Sequence, residues 1–169
     1  PDVPNGTSGT MTTLHQYGGA RDINDAGVVC GDSYYQSPMV PTEWDGPKET
    51  IIDYPYEGWW TYGRATGINN AGDVVGVAGD PDLNETAWVR SPSYYTRDLN
   101  LILNGTSVHG YPGNLTEPLA IYDAGQILVR TYGSYYVLLT PSGPPALKIQ
   151  GTTTNTVVVS WPSIAIGFV

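Results

Sequence analysis

The sequence has few cations and almost no cysteine. Its 169 residues include 7 Lys plus Arg against 16 Asp plus Glu, which gives a net charge of −9 at pH 7. Because a surface of that sign repels phosphate backbones, the composition excludes nucleic-acid binding. Cys30 is the one cysteine, which excludes a disulfide framework within the chain and a metal site built of cysteines. We expect Cys30 to be a small buried hydrophobe.

Long apolar runs and helical periodicity are also lacking. No run approaches the length of a membrane span, and no window spaces apolar residues as an amphipathic helix does. The chain holds 21 Gly, 14 Pro and 13 Tyr but only 14% charged residues. Stretches of Val, Ile, Thr and Tyr broken by Gly, Pro and Asn predict an all-β fold. Low Lys with abundant Thr, Ser, Gly and Tyr favours an extracellular or cell-surface location.

The sequence also lacks catalytic motifs. We therefore expect that the protein is not an enzyme and binds no cofactor. Neither of the two histidines, His15 and His109, lies in a zinc-protease or hydrolase motif, and we expect both to be structural or surface residues. A weak calcium candidate has oxygen ligands at Asp80, Asp82 and Glu85, but it lacks the spacing of a full calcium loop. A solvated acidic loop is the alternative interpretation of that segment.

What the sequence does contain is a repeated turn. Ala-Gly pairs occur at Ala26-Gly27, Ala71-Gly72 and Ala124-Gly125, each preceded by Asn or Asp and followed by a β-rich run. Glycine permits positive φ, and Asn or Asp side chains bond locally to a turn backbone. Each copy therefore predicts a β-hairpin.

Further strands complete each unit. Runs containing Trp44, Trp88 or Tyr136 predict a third strand, and the segments 48–54 and 95–101 predict a fourth in the first two units. The third unit lacks one, and the unclaimed segment 11–17 has the same pattern. We therefore expect residues 1–141 to form three repeats of about four antiparallel strands closed by an N-terminal strand, in a propeller-like or pseudo-threefold body.

The repeat resembles the bacterial extracellular HAF repeat family over about residues 10–141. The match is best in the second copy, where the pattern A-x-x-I-N-x-A-G-x-V-V-G runs from Ala65 to Gly76 and is followed by Ala87 and Trp88. The third copy departs from the pattern at Tyr122. The resemblance implies a secreted or surface-anchored β-repeat protein, propeller-like, and almost no chemistry.

The C-terminal part is separate. Residues 142–145 form a Pro-Gly linker, and residues 146–169 resemble the opening strands of an immunoglobulin-like or fibronectin type III-like sandwich. So short a β segment has no core of its own, so it either packs on its own body or adds to a neighbouring subunit. The residues expected to make a subunit contact are Val157, Val159, Trp161, Ile164, Ile166 and Phe168.

Two surface features remain. An aromatic-rich segment predicts contact with a sugar or a partner through Tyr54, Tyr56, Trp59, Trp60 and Tyr62. Sequons for possible glycan attachment occur at Asn5, Asn84, Asn104 and Asn114.

These features together predict a non-enzymatic structural protein, secreted or displayed on the cell surface, that self-assembles with copies of itself. Its C-terminal strands are the expected link of a fibre. The alternative is a carbohydrate-binding, lectin-like module that uses exposed Tyr and Trp to bind glycans.

Overall fold

The chain folds as an all-β protein with almost no helix. The structure, a computed structural model, describes residues 9, 11, 13–14, 17–34, 38–53, 62–79, 85–92, 95–102 and 114–141, and the backbone of 148–151 and 157–160. Its three larger sheets are antiparallel, and each is formed by strands that follow one another in sequence. The all-β prediction is therefore confirmed.

The first sheet has four strands in sequence order: β1 (Gly18–Ile23), β2 (Val29–Tyr34), β3 (Met39–Asp45) and β4 (Lys48–Ile51). The second sheet repeats that order with β5 (Tyr62–Ile68), β6 (Val74–Gly79), β7 (Glu85–Arg90) and the short β8 (Arg97–Asp98). In both sheets the first two strands are joined by one of the predicted Ala-Gly turns.

A helical turn replaces part of the fourth strand predicted for the second unit. After β8 the chain forms α1 (Leu99–Ile102), which the Asp98 carboxylate starts by accepting the Asn100 N–H at 2.7 Å. Leu99 is thereby buried. This four-residue helix is the longest in the described ranges, none of which contains a helix able to cross a membrane.

The third sheet has three strands, β9 (Leu115–Ile121), β10 (Ile127–Thr131) and β11 (Tyr136–Leu139). The expected closing strand 11–17 is not among them. Of that segment, residues 11, 13 and 14 lie in no strand, and the carbonyl of Tyr17 accepts the Tyr34 N–H at 3.0 Å, so this residue continues β1 of the first sheet instead. No closed ring forms among the described residues.

In the C-terminal part, β12 (Lys148–Gly151) pairs antiparallel with β13 (Val157–Ser160). The two strands make a sheet of their own, which is not joined to the larger sheets by strand pairing.

The first strands of the three larger sheets share an irregularity that was not predicted from the sequence. Each carries a β-bulge at the same distance before its Ala-Gly turn, so that Arg21, Thr66 and Leu119 have no partner in the strand register. A bulge adds one residue to one strand and increases the local twist. The three hairpins therefore have the same register between the turn and this bulge, and β9 alone has a second irregularity, at Thr116.

The hydrophobic core lies in two layers on either side of the second sheet. Val74, Ala78 and Trp88 pack toward Cys30 and Ile52 of the first sheet. Val75, Ala87 and Val89 pack toward the third sheet, where they meet residues such as Val129 and Leu139. Because neighbouring side chains of a strand point to opposite faces, β6 is buried along its whole length. The second sheet is thus the middle layer of the stack.

Candidate functional site

The three Ala-Gly turns have one geometry. In each, the glycine has a positive φ of 77–82° and its N–H donates to the backbone carbonyl three residues earlier, at Asn24, Asn69 or Tyr122. The Asn24 and Asn69 side chains also accept backbone N–H groups four residues on, at 3.0 and 2.8 Å. Such local bonds are the reason that Asn is favoured at turns.

The turns are also bonded to one another, across 45 and 53 residues of sequence. The Asp25 N–H donates to Asn70 Oδ1 at 2.8 Å, and the Asn70 N–H donates to Asp123 Oδ1 at 2.8 Å. We call Asp25, Asn70 and Asp123 the turn ladder. It runs in one direction, since each turn donates its backbone N–H to the side chain of the next.

Asn70 sits between two carboxylates of the turn ladder. Its side-chain Nδ2 donates one hydrogen to Asp25 Oδ2 at 2.8 Å and the other to Asp123 Oδ2 at 2.9 Å. All three side chains are exposed, so each bond is weakened by water. An amide is nevertheless the residue that fits here, because it supplies two donors and one acceptor where an aspartate would supply acceptors only.

Deeper bonds reinforce the turn ladder. Asn24 Nδ2 donates to the Asn69 carbonyl at 3.2 Å, and Asn69 Nδ2 donates to the Tyr122 carbonyl at 3.3 Å. Asp22 adds a third link by accepting the Ile68 N–H at 3.0 Å. The residues predicted only to form turns therefore also hold three sheets together. The sequence signal was present in the Asp or Asn that occupies the second position of every turn.

Ion pairs between charged side chains also join the sheets. Glu43 of β3 and Arg90 of β7 form an ion pair at 2.6 Å that links the first and second sheets. Arg64 of β5 and Glu117 of β9 lie 2.9 Å apart and link the second and third. Arg130 contacts the other oxygen of Glu117 at 2.8 Å. The carboxylates of Glu43 and Glu117 therefore form ion pairs, between sheets in both cases and also within the third sheet for Glu117.

Of the calcium candidate, the structure describes Glu85. Its carboxylate lies 3.5 Å from Arg64 and accepts the Tyr62 hydroxyl at 3.3 Å, so it already has a cationic and a neutral partner. Asp80 and Asp82 lie outside the described residues. Within the described ranges no three His, Cys, Asp or Glu side chains are grouped as metal ligands.

Tyr62, one residue of the expected sugar or partner contact, lies against the neighbouring strand. Its ring covers Gly79 of the paired strand so closely that a Cβ there would lie 2.2 Å from the ring. The ring is half-buried, so only part of it is open to a sugar or a partner. The other members of that predicted surface, Tyr54, Tyr56, Trp59 and Trp60, lie outside the described residues.

One sequon falls in the described part of the chain. Asn114 is exposed just before β9, but Thr116 of the same sequon is buried and donates to the Arg130 carbonyl at 3.1 Å. An enzyme that must read Thr116 can do so only before the strand has folded. The sequons at Asn5, Asn84 and Asn104 lie outside the described residues.

Cys30 is fully buried between the first two sheets, as expected. Burial raises the pKa of its thiol from 9.0 to about 12, and the nearby charges of Asp22 and Glu43 act in the same direction. Because the thiolate is the reactive form, Cys30 is inert in the folded protein near neutral pH.

The expected subunit contacts are described only in part. Val157 and Val159 belong to β13, whereas Trp161, Ile164, Ile166 and Phe168 lie outside the described residues. A further exposed apolar surface lies on β11, where Tyr136 is 65% and Leu138 is 50% exposed. Comparison with known proteins identifies no family for the chain. No protein-family model, curated protein or solved structure matches it.

Proposed function

We propose that the chain is a non-enzymatic structural protein, secreted or displayed at the cell surface, that is built from three β-sheet units and self-assembles. The observation that carries this proposal is the turn ladder, because Asp25, Asn70 and Asp123 use equivalent positions to bond one unit to the next. Side chains arranged in this way stack sheets on one another.

Three common features support the division into units. The Ala-Gly turns agree in backbone geometry, the bulges fall at Arg21, Thr66 and Leu119, and the strand order within each sheet is the same. These are the properties expected of copies of one supersecondary unit, which cannot bury its faces alone. They also support the resemblance to the extracellular HAF repeats, with a propeller-like arrangement of the units.

Self-assembly is supported by apolar side chains that are exposed in the described part of the chain. The second sheet is buried on both faces, whereas Tyr136 and Leu138 of the third sheet face solvent. The hairpin of β12 and β13 adds a Val-rich strand pair of the kind that is marginally stable in isolation. In the proposed fibre, these C-terminal strands add to a sheet of a neighbouring molecule.

Sedimentation velocity of the full-length chain over a wide range of concentrations tests the proposal, with negative-stain electron microscopy of the same samples. We expect concentration-dependent association, and we expect elongated particles if the contacts do not close. A chain that stays monomeric at all concentrations would contradict self-assembly.

Carbohydrate binding is a second candidate, and exposed tyrosine rings favour it. Tyr95 is 92% and Tyr132 is 84% exposed, and such rings are the platforms on which sugars stack. A glycan array should then show binding that is lost in Tyr95→Ala or Tyr132→Ala, with Trp59→Ala and Trp60→Ala tested beside them. Binding that none of the four substitutions changes would contradict this function.

A further inference from the structure

The outer strands of the three larger sheets differ in charge. The outer strand of the first sheet, β4, contains Lys48 and Glu49, and that of the second sheet, β8, consists of Arg97 and Asp98. The third sheet ends at β11, whose sequence Tyr-Val-Leu-Leu carries no charge. Charged residues on an edge strand prevent pairing with other chains, so the first two sheets have protected edges and the third does not.

The edge of β11 is also where the third sheet is one strand short. In the first two sheets, a fourth strand pairs with the third, whereas β11 pairs only with β10 in the described part of the chain. Among the strands that the structure describes, none pairs with the remaining edge of β11, where a fourth strand would pair. Tyr136 and Leu138 project from the same strand on the side away from the core.

We infer that the free edge of β11 binds the β11 edge of a second copy of this chain, so that two third sheets join into one continuous antiparallel sheet. The inference rests on the proposed self-assembly and adds a second contact to the one proposed for the C-terminal strands. Two copies related by a twofold axis present the same strand to each other, so the contact closes as a dimer.

A second copy fits this edge because of charge and side-chain pattern. Pairing β11 with β11 opposes no charged residues, whereas pairing it with an outer strand such as β4 would place Lys48 or Glu49 against apolar side chains. Strand pairing also requires that opposite residues share a face. Placing Tyr136 opposite Leu138 of the second copy meets that requirement, since both are exposed, and forms an aromatic–aliphatic cross-strand pair.

Two full-length variants test the edge. Leu138→Lys places like charges close together across the proposed contact, and Ile51→Lys makes the same change on β4, where Ile51 is 51% exposed on an already charged strand. We expect Leu138→Lys to raise the dimer dissociation constant by at least about tenfold, because it removes the aliphatic partner of Tyr136 and places two lysines diagonally across the contact, about 7–8 Å apart. Ile51→Lys should associate as the wild type does. Tyr136→Lys provides a second edge variant, and circular dichroism confirms that each variant is folded.

The register is tested by the double variant Tyr136→Cys, Leu138→Cys. Opposite residues in an antiparallel pair have Cα atoms about 4.5–5.5 Å apart, which suits a disulfide. Mild oxidation should therefore give a covalent dimer, while the wild type, whose one cysteine is buried, stays monomeric under denaturing electrophoresis without reductant.

The outcomes separate this inference from the proposed function. A wild-type chain that never associates would overturn self-assembly and the edge contact together. Association that Leu138→Lys and Tyr136→Lys leave unchanged would overturn the edge contact alone. If Val158→Lys in β13 abolished association and the double-cysteine variant did not cross-link, the partner of the edge would be the C-terminal strand, and pairing of β11 with itself would be wrong.

Discussion

The side-chain amide of Asn70 donates to the carboxylate of Asp123 at 2.9 Å, although the two residues are 53 positions apart. The same nitrogen donates to Asp25 at 2.8 Å on the other side. The exposed turns of three sheets are thus joined by one amide, which also separates two negative charges. The arrangement makes definite predictions about what each position tolerates.

Replacing Asn70 with Asp should destabilise the fold. The change removes both side-chain donors and places three carboxylates in a row, and we expect a loss of about 1–2 kcal/mol in the free energy of unfolding. Urea denaturation at neutral pH measures it. Added salt should reduce the loss, since these charges are exposed and therefore screened.

The matched control for that variant reverses the pattern of the turn ladder. The triple variant Asp25→Asn, Asn70→Asp, Asp123→Asn again alternates amide and carboxylate, so it should recover most of the lost stability. If the triple variant were no more stable than Asn70→Asp alone, the alternation would not be the cause.

Gly76 should not tolerate a methyl group. A Cβ at this position would lie 2.2 Å from the Trp88 ring and 2.3 Å from the Arg64 carbonyl, neither of which has room to move in the core. Overpacking of this kind predicts a loss of about 2–3 kcal/mol for Gly76→Ala, measured by thermal or urea denaturation.

Gly27→Ala is the control for that substitution. Gly27 has a φ of +82° and open space around its Cβ position, so the change tests backbone conformation without a clash. We expect it to cost about 1 kcal/mol. A loss at Gly27 as large as that at Gly76 would contradict the packing argument.

Stability should fall at alkaline pH because of Cys30. Its folded pKa is about 12 against an ordinary 9.0, so above pH 9 the unfolded chain releases the thiol proton and the folded chain keeps it. The unfolded state therefore binds fewer protons, and the contribution of this group to stability is lost as pH rises through that window, by up to about 1.4 kcal/mol per pH unit.

Cys30→Val isolates that effect from the titration of tyrosine and lysine. Val75 holds the corresponding position of the second sheet, so Val should fit at neutral pH with a cost below about 1.5 kcal/mol. Denaturation at a series of pH values should then show a shallower decline above pH 9 than in the wild type. Identical slopes would contradict the assignment to Cys30.

Glu43 and Arg90 should be energetically coupled. Their ion pair, at 2.6 Å, lies between the first two sheets. The Arg90 side chain is 26% exposed and the Glu43 side chain is 14% exposed. A double-mutant cycle with Glu43→Gln and Arg90→Met should give a coupling of about 1–3 kcal/mol. Arg21 with the buried Asp32 serves as the comparison within one sheet, and its coupling should be smaller because the Arg21 side chain is 41% exposed.

Local chemistry was enough to predict the hairpins and the burial of Cys30. The Asn-x-Ala-Gly turns have few alternative conformations, because the glycine at positive φ fixes the direction of the next strand. The third strands followed from the β-rich runs around Trp44 and Trp88, and both side chains are buried.

Long-range contacts decided what the sequence did not predict. The bulges fall at Arg21, Thr66 and Leu119, and nothing in these three different residues marks the position in the sequence. Asn100 was predicted in a strand, but its side chain pairs with both backbone groups of Leu115, at 2.7 and 3.0 Å. The Asn100 side chain thus bonds the backbone of Leu115 as a paired strand would, and this role can be recognised only when the position of Leu115 is known.

The alternation along the turn ladder has a consequence for how such a chain can grow by gene duplication. Copying one unit would place two aspartate turns, or two asparagine turns, beside each other at the new junction. Duplication of two adjacent units preserves the order, and so does a single copy followed by a codon change between Asp and Asn at position 70 or its counterparts. Longer natural arrays of this unit should therefore show an even–odd signature at that one turn position.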